Sequence, residues 1–378
     1  MTAPLQTEHV RGSNRLTVFQ ALAQGGPASR ATLAQRTGLS VPTVATILTE
    51  LEGSGAVRAD GIEEGTGGRP AQRVAVDADA RHVLAVDLSG HRARGLRIDL
   101  LGAPRSESLG PPLRPGAEPE LVDWLRQMLA EPGAPPVARL ALAVPGVVDP
   151  VDGHVDLAPA LGWHDFAVAD LLETTLGVPT LLENDVNALA LAELGLGVGA
   201  GAEHVLYVAI GSGIGAGLVV HGRLLRGAHA AAGEIGSSLT PAPARGAAGI
   251  EGAPLERDLL TLAERFLDAD GRVALDGAER CEAFGRFAES LRCVLHNLAC
   301  ALDPELLVVA WPADPEGRLV QHLRAHWSGP TPVRIAAGAL GPGAAARGVA
   351  GLALELVHRD LCRGAGRTAA RAAGGSRA

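Results

Sequence analysis

Two glycine-containing turns that follow apolar strands are the features of this sequence best suited to holding a phosphate group. The first ends the buried strand that begins at His82, and it contains Asp87 and Gly90. The second follows the strand His204–Ile210 and opens with Gly211 and Gly213. Glycine lets the backbone approach a ligand closely, and successive backbone N–H groups in such a turn form an anion-binding concavity. The pattern therefore predicts two phosphate-binding turns.

A repeated set of strands must position these turns. Each turn leads into a second apolar strand, at Arg94–Leu100 and at Leu218–Val220. A further buried strand is predicted at 139–144 and a short strand at 180–182, with an amphipathic helix at 118–131 and a helix at 187–196. The repeated strand–turn–strand unit predicts a duplicated ribonuclease H-like, actin-like α/β fold, in which two lobes bring the turns together across a cleft.

The first 80 residues follow a different pattern, which is typical of a helix-turn-helix. Helices are predicted over 14–24 and 30–37, and Ser40 is a suitable N-cap for a third helix with Pro42 in its first turn. Apolar residues at i, i+3, i+4 and i+7 give the third helix one buried face, formed by Val44, Ile47, Leu48 and Leu51. Two short strands near 56–58 and 73–76 add a hairpin, so the module is predicted to be winged.

The exposed face of the third helix carries few side chains that read bases. Its candidate DNA contacts are Ser40, Pro42, Thr43 and Thr46, and none of them is a bidentate reader of guanine or adenine. Arg30 is placed to meet phosphate, and Arg69 lies in the glycine-rich wing. Arginine is favoured in the narrow minor groove of A·T tracts, so an A·T-rich operator is predicted. A small three-helix domain without a DNA role is the alternative.

Charge and composition narrow the class of protein. Net charge is −9 over 378 residues, but residues 1–49 hold four Arg and one acid. A basic N-terminal module on an acidic body fits binding of DNA through that module alone. No apolar run is long enough for a membrane helix. The four cysteines form no C-x-x-C pair and are interpreted as reduced, mostly buried thiols of a cytoplasmic protein.

Strings along most of the chain resemble the ROK family of repressors, open reading frames and sugar kinases, in its regulator form with an N-terminal winged helix-turn-helix. The resemblance spans about residues 11–358. The matching strings are RGSNR, SRATLAQRTGLSVPTVATILTEL, GGRP, VLAVDLSG, VPGVVD, LENDVNALALAE, IGSGIGAGLVV, GRLLRG, GEIG, NLACALDPELLVV and ALGPGAAARGVAGLAL.

Departures from the family's kinases argue against catalysis. A kinase is expected to carry D-x-G-G-T at the first turn, whereas Asp87 is followed here by Leu88-Ser89-Gly90-His91. A later strand that would end in Gly-Gly ends in Val309-Ala310-Trp311. Asp185 matches the family's general base, but phosphoryl transfer depends on positioning by phosphate contacts that are missing. The resemblance therefore implies a vestigial base and no cofactor.

The family's structural zinc site is also expected to be absent. The resemblance implies G-E-I-G-H followed by a cysteine-rich loop, but Gly236 is followed by Ser237, and residues 238–251 contain no cysteine. No metal site is therefore predicted there.

The family's sugar contacts are half retained. Asn184, Asp185 and Glu234 match residues that hydrogen-bond sugar hydroxyls, whereas Ala160 and Ser237 replace two others. Glu251 lies one residue away from the family's distal glutamate. The alternative is that Asn184 and Asp185 cap the following helix and that Glu234 is a buried structural residue.

Together these features predict a DNA-binding regulator of carbohydrate-related genes, expected to be a repressor. Its domains are predicted as a winged helix-turn-helix over 1–80, a ROK module over 81–362 with lobes at 81–186 and 187–362, and a disordered tail over 363–378. A homodimer or higher homo-oligomer on a palindromic operator and a sugar-like effector are expected. An active sugar kinase with an added DNA-binding domain, and an effector-independent DNA-binding dimer, remain the alternatives.

Overall fold

The N-terminal module is a winged helix. The computed structural model describes residues 3–63, 71–240, 253–329 and 331–374. The predicted second and third helices and the hairpin are confirmed, while the first helix begins earlier than predicted. Three antiparallel strands form the wing sheet in the order β1-β3-β2. The elements are α1 (Ala3–Gly25), β1 (Ala28–Ser29), α2 (Arg30–Thr37), α3 (Val41–Gly53), β2 (Val57–Glu63) and β3 (Ala71–Val76).

Local capping explains why α2 and α3 begin and end where they do. The hydroxyl oxygens of Ser29 and Ser40 accept hydrogen bonds from the backbone N–H groups of Thr32 and Thr43, both at 3.3 Å. These bonds satisfy N–H groups that a helix leaves without partners in its first turn. Gly38 ends α2 at φ 70°, a left-handed conformation that glycine adopts without steric cost.

The first lobe is built on a five-stranded sheet in the order β11-β7-β4-β5-β6. Strands β11, β7 and β4 are parallel, and β4, β5 and β6 are antiparallel. Strands β8, β9 and β10 form a separate small sheet. The elements are β4 (His82–Asp87), β5 (Arg92–Asp99), β6 (Pro104–Pro112), α4 (Glu118–Leu129), β7 (Val137–Val144), β8 (Val147–Asp149), β9 (His154–Ala158), β10 (Trp163–Phe166), α5 (Val168–Leu176) and β11 (Thr180–Asn184).

The second lobe repeats this plan, as the duplicated fold predicts. Its sheet has the order β14-β13-β12-β17-β18, with an antiparallel β12–β13 hairpin and parallel β17 and β18. The elements are α6 (Asp185–Leu196), β12 (Val205–Ile210), β13 (Ile214–Val220), β14 (Arg223–Leu224), β15 (Leu239–Thr240), β16 (Ala253–Pro254), α7 (Leu255–Ala263), α8 (Ala278–Leu302), β17 (Leu306–Ala310), α9 (Arg318–His326), β18 (Arg334–Ala337) and α10 (Ala344–Gly374).

Helix α10 crosses the boundaries that the sequence predicts between the second lobe and its surroundings. It was assigned to the second lobe, but it packs against α6 and against β4 and β7 of the first lobe. It also contacts α1 and α3 of the winged helix, so both modules share one apolar cluster that includes Phe19, Leu48, Val83 and Val349. The tail is predicted to be disordered from residue 363, and the described backbone of α10 continues as helix to Gly374.

Three of the four cysteines are more accessible than expected. Cys281, Cys293 and Cys300 are exposed on α8, and only Cys362 is buried. Among the described residues, no helix has the length and apolar character needed to span a bilayer.

Candidate functional site

Four carboxylates approach one another in the cleft between the lobes. Asp87 ends β4, Asp185 begins α6, Glu234 follows β14, and Glu256 lies in the first turn of α7. Burial raises the pKa of Asp185 to about 7, and the negative charges of Asp87 and Glu234 add to the shift. Burial also raises the pKa of Glu234, with a further contribution from Glu256. Asp185, with its pKa of about 7, therefore carries only part of its negative charge at neutral pH within this cluster of acidic side chains.

Asn184 and Asp185 are fixed by the start of α6. The Asn184 side-chain oxygen accepts from the backbone N–H of Asn187 at 3.0 Å, and its amide donates to the Gly146 carbonyl at 2.8 Å. Asn184 therefore caps the helix, as the structural alternative predicted, and keeps one N–H free for a ligand. Asp185 Oδ1 accepts from the Val186 N–H at 2.9 Å, while the rest of the carboxylate faces the other acids.

Glu234 is positioned by the glycine before it. Gly233 has φ 97°, and a β-carbon there would lie 1.9 Å from the Ala216 carbonyl oxygen. The Gly233 carbonyl accepts from the Ala216 N–H at 2.8 Å, which holds this segment against β13. The residue Glu234 is exposed by its total surface while partial burial of its carboxyl group raises its pKa, so it is not the fully buried structural residue of the alternative interpretation.

The first predicted phosphate turn is occupied by its own side chains. Asp87 Oδ1 accepts from the backbone N–H of Ser89 at 2.8 Å and from its hydroxyl at 2.6 Å. The buried Asp87 carboxylate is thus directed onto the turn, with the exposed Gly90 following it.

A carboxylate contacts the second predicted phosphate turn. Within it, the Gly211 N–H donates to the Gly213 carbonyl at 2.9 Å. Glu256 Oε1 accepts from the Ile214 N–H at 3.1 Å, and a β-carbon on Gly213 would lie 2.5 Å from the same oxygen. Sequence reasoning missed Glu256. It lies 22 positions after Glu234, and the only local signal is that it follows Leu255 at the start of a helix. Glu251, which was considered instead, lies outside the described residues.

The winged helix presents a mostly uncharged face. Pro42 and Thr46 are exposed, Thr43 is half-buried, and the Thr46 hydroxyl donates to the Pro42 carbonyl at 3.1 Å. Ser40 is used as the helix cap. Val41, which sequence reasoning also missed, is an apolar side chain 47% exposed at the start of this face.

Only one of the two predicted arginine contacts lies within the described residues. Arg30 is exposed at the start of α2, while Arg69 lies outside the described residues.

Helix α6 connects the cleft to α10. A β-carbon on Gly348 of α10 would lie 1.8 Å from the Ala188 carbonyl oxygen of α6. On its other side, Ala190 of α6 would meet a β-carbon on Gly217 of β13 at 2.5 Å. Because both neighbours approach so closely, a displacement of α6 must move β13 or α10.

Helix α10 in turn holds the winged helix. Buried Arg15 of α1 donates to Glu50 of α3 at 2.5 Å and to the Cys362 carbonyl of α10 at 3.2 Å. The Phe19 and His358 rings lie 4.7 Å apart, and His358 donates to the Leu100 carbonyl at 2.9 Å. A continuous set of contacts therefore runs from Asp185 at the start of α6 to α3 of the winged helix.

Comparisons with known proteins agree with both modules. A model described as "ROK family" matches residues 83–256, and one described as "DprA winged helix domain" matches residues 3–61. A glucokinase from Halalkalibacterium halodurans is 30% identical over 53% of this chain and 69% of its own length. The xylose repressor of Bacillus subtilis is 26% identical over 60% of each chain. The chain thus matches about three fifths of that repressor's length.

One solved structure matches almost the whole fold. It is a ROK family transcriptional regulator, a homologue of the Escherichia coli MLC protein. It covers 94% of this chain and 99% of its own, with a TM-score of 0.75 and 18% identity. At this identity the match establishes the shared architecture, in which a winged helix accompanies the two-lobed module.

Proposed function

Because this chain belongs to the ROK family, we propose that it is a DNA-binding transcriptional repressor of carbohydrate-related genes whose two-lobed module senses an effector. The observation that carries the proposal is the continuous packing from the cleft through α6 and α10 to the recognition helix α3. A ligand that binds two states with different affinity shifts their populations. Closure of the cleft on an effector would move α6, and the arrangement of the winged helices would follow.

The cleft chemistry suits a hydroxylated effector. Carboxylates accept hydrogen bonds from hydroxyl groups, and Asp185, Glu234 and Glu256 provide them from three segments. Asn184 adds its remaining N–H donor. We therefore expect a sugar or sugar derivative, held mainly by acceptors on the protein.

The same geometry argues against phosphoryl transfer. Glu256 places a negative charge on the second turn, where a nucleotide phosphate would need positive potential or free N–H groups. At the end of β17, Trp311 stacks on Phe287 with ring centroids 4.9 Å apart. We expect both features to hinder the binding of a nucleotide at these two places.

A kinase assay tests this part of the proposal. Purified protein incubated with Mg-ATP and a panel of hexoses, aminosugars and pentoses should release no ADP above the no-sugar control. A family glucokinase, run in parallel, verifies the assay. Sugar-dependent ADP release that Asp185→Asn abolishes would establish the kinase alternative instead.

DNA binding is proposed to occur as a two-fold dimer on a palindromic, A·T-rich operator in the cytoplasm. Dimer symmetry matches operator symmetry in this class of protein. Selection of bound fragments from sheared genomic DNA would identify the operator, and release of that fragment by one sugar of the panel would identify the effector. Binding that no sugar relieves would favour the effector-independent dimer.

Arg69→Ala should weaken operator binding without changing the thermal unfolding of the protein. A minor-groove arginine contributes both charge and recognition of groove shape. Gel shifts at fixed salt should show lower affinity, and replacing A·T tracts by G·C should then have less effect than in the unmodified protein. Arg58→Ala, on the adjoining strand β2, is the matched control. Equal affinity of Arg69→Ala and the unmodified protein would exclude a wing contact.

A further inference from the structure

A cluster of two histidines and a glutamate lies away from the cleft. His204 directly precedes β12, His221 follows β13, and Glu203 neighbours His204 along the chain. One ligand atom from each of the three side chains lies within 4.8 Å of the others. The two imidazole rings meet edge to face with centroids 4.6 Å apart.

This cluster lies at the opposite end of the sheet from the effector cleft. Strands β12 and β13 join at the glycine turn, whereas His204 and His221 lie at their other ends. Six residues of extended strand separate the two ends by about 20 Å. The cluster is therefore independent of the acidic cleft and of the loop in which the family's zinc site was sought.

We propose that Glu203, His204 and His221 form a binding site for a divalent transition-metal ion such as Zn²⁺. Two imidazole nitrogens and one carboxylate oxygen are a ligand set that zinc commonly takes. Tetrahedral ligands at about 2.0–2.1 Å from zinc lie ~3.3 Å apart. Small side-chain rotations bring atoms that are already within 4.8 Å to that separation.

Hydrogen bonds fix the backbone that carries these ligands. Glu305 accepts from the N–H groups of Glu203 and His204 at 2.6 and 3.1 Å, and the Gly222 N–H donates to the Glu203 carbonyl at 2.8 Å. His221 is held at φ 51°, a conformation that few residues other than glycine adopt. This frame preorganises the site, so that ion binding orders only the side chains.

The site is open to solvent. Glu203 and His221 are exposed and His204 is half-buried, so the ion enters without opening the fold. Three protein ligands leave a fourth position for water. A bound ion would tie the start of β12 to the β13–β14 turn and stabilise this edge of the second lobe.

A second histidine pair provides the rival location for metal. His322 and His326 stack on α9 with centroids 4.2 Å apart. His326 Nδ1 already donates to the His322 carbonyl at 2.9 Å, which leaves this pair fewer free ligand atoms. The test therefore compares metal binding at the Glu203–His204–His221 cluster with metal binding at the His322–His326 pair.

The experiment is a calorimetric titration of tag-free, full-length protein with ZnCl₂ after removal of metal by a chelator. We expect one principal site that His204→Gln and His221→Asn each weaken by at least about tenfold, since even outer-sphere substitutions have effects of that size. Asparagine is chosen at position 221 because it tolerates left-handed backbone. Exposed Glu203→Gln provides a third variant with little risk to folding, and His326→Gln should bind as the unmodified protein does.

Spectroscopy and thermal unfolding give independent readouts. Co²⁺ should produce a visible absorption band typical of nitrogen and oxygen ligands, which His221→Asn removes. Zn²⁺ should raise the Tm of the unmodified protein but not that of His221→Asn, whose metal-free Tm verifies its fold. Undiminished binding in all three cluster variants, or loss of binding in His326→Gln alone, would overturn the proposal.

Discussion

Asp185→Asn should weaken effector-induced release of DNA by about 10- to 100-fold at pH 8, while affinity for DNA without effector stays unchanged. At that pH the Asp185 carboxylate, with its pKa raised to about 7, is mostly charged. Hydrogen bonds to charged groups contribute about 1.5–3 kcal/mol, and the variant replaces this charged acceptor by a neutral amide. Asparagine keeps an oxygen for the Val186 N–H, so the start of α6 is preserved.

The same substitution should stabilise the protein above neutral pH. The folded pKa of Asp185 lies above its ordinary value of 3.8, so between about pH 4 and pH 7 the folded chain retains a proton that the unfolded chain has released. The free energy of unfolding therefore falls as pH rises through that range. Asp185→Asn should raise it by about 1–3 kcal/mol at pH 8, and the gain should shrink as pH falls toward 4.

Asp268→Asn is the matched control for both measurements. Asp268 is a half-buried second-lobe carboxylate that also accepts backbone hydrogen bonds, from Asp270 and Arg272 at 2.9 and 2.8 Å. It lies outside the acidic cluster, so it should leave the effector response unchanged. An equal effector response in Asp185→Asn and the unmodified protein would show that Asp185 is structural only.

Arg15→Met should lower the free energy of unfolding by about 2–4 kcal/mol and weaken the coupling between effector and DNA. Removing one partner of a buried ion pair leaves the other charge uncompensated, which costs about 3–5 kcal/mol when both are fully buried. The Glu50 side chain is 20% exposed, which reduces the expected loss. Methionine retains an apolar side chain of similar length, so the packing between α1 and α10 is disturbed little.

Two further variants separate the charge effect from simple loss of fold. Arg11→Ala removes an exposed arginine one turn earlier on α1 and should change stability by less than about 0.5 kcal/mol. Arg15→Met combined with Glu50→Gln should recover part of the lost stability, because Glu50 then no longer leaves an uncompensated charge. Urea unfolding followed by circular dichroism gives the stabilities. Full stability and full effector response in Arg15→Met would contradict a role for this contact.

Capping and periodicity predicted the helices of the winged module and the strands that carry the two glycine turns, but not the small sheet β8–β10 or the helices α7–α9. Ser29, Gly38 and Ser40 act within three or four residues of their own positions, so the bounds of α2 and α3 follow from nearby sequence. The duplicated strand–turn–strand units also follow from alternating apolar strands and glycine turns. The resemblance to known motifs added Asn184, Asp185 and Glu234 as candidates, although it did not show that Asn184 is used mainly as a cap.

Contacts between distant segments were decided only by the tertiary structure. Glu256 reaches the second glycine turn because α7 begins beside it, and His204 meets His221 because β12 and β13 pair in an antiparallel hairpin. Helix α10 packs closely on α6 because Gly348 has no side chain at that contact, and it also contacts β4 and β7 of the first lobe. Periodicity specifies that a face is buried, but it does not specify against which partner. The packing partner of a buried face depends on the shapes of surfaces that lie far apart in the chain. In this protein such surfaces connect the acidic cleft to the winged helix.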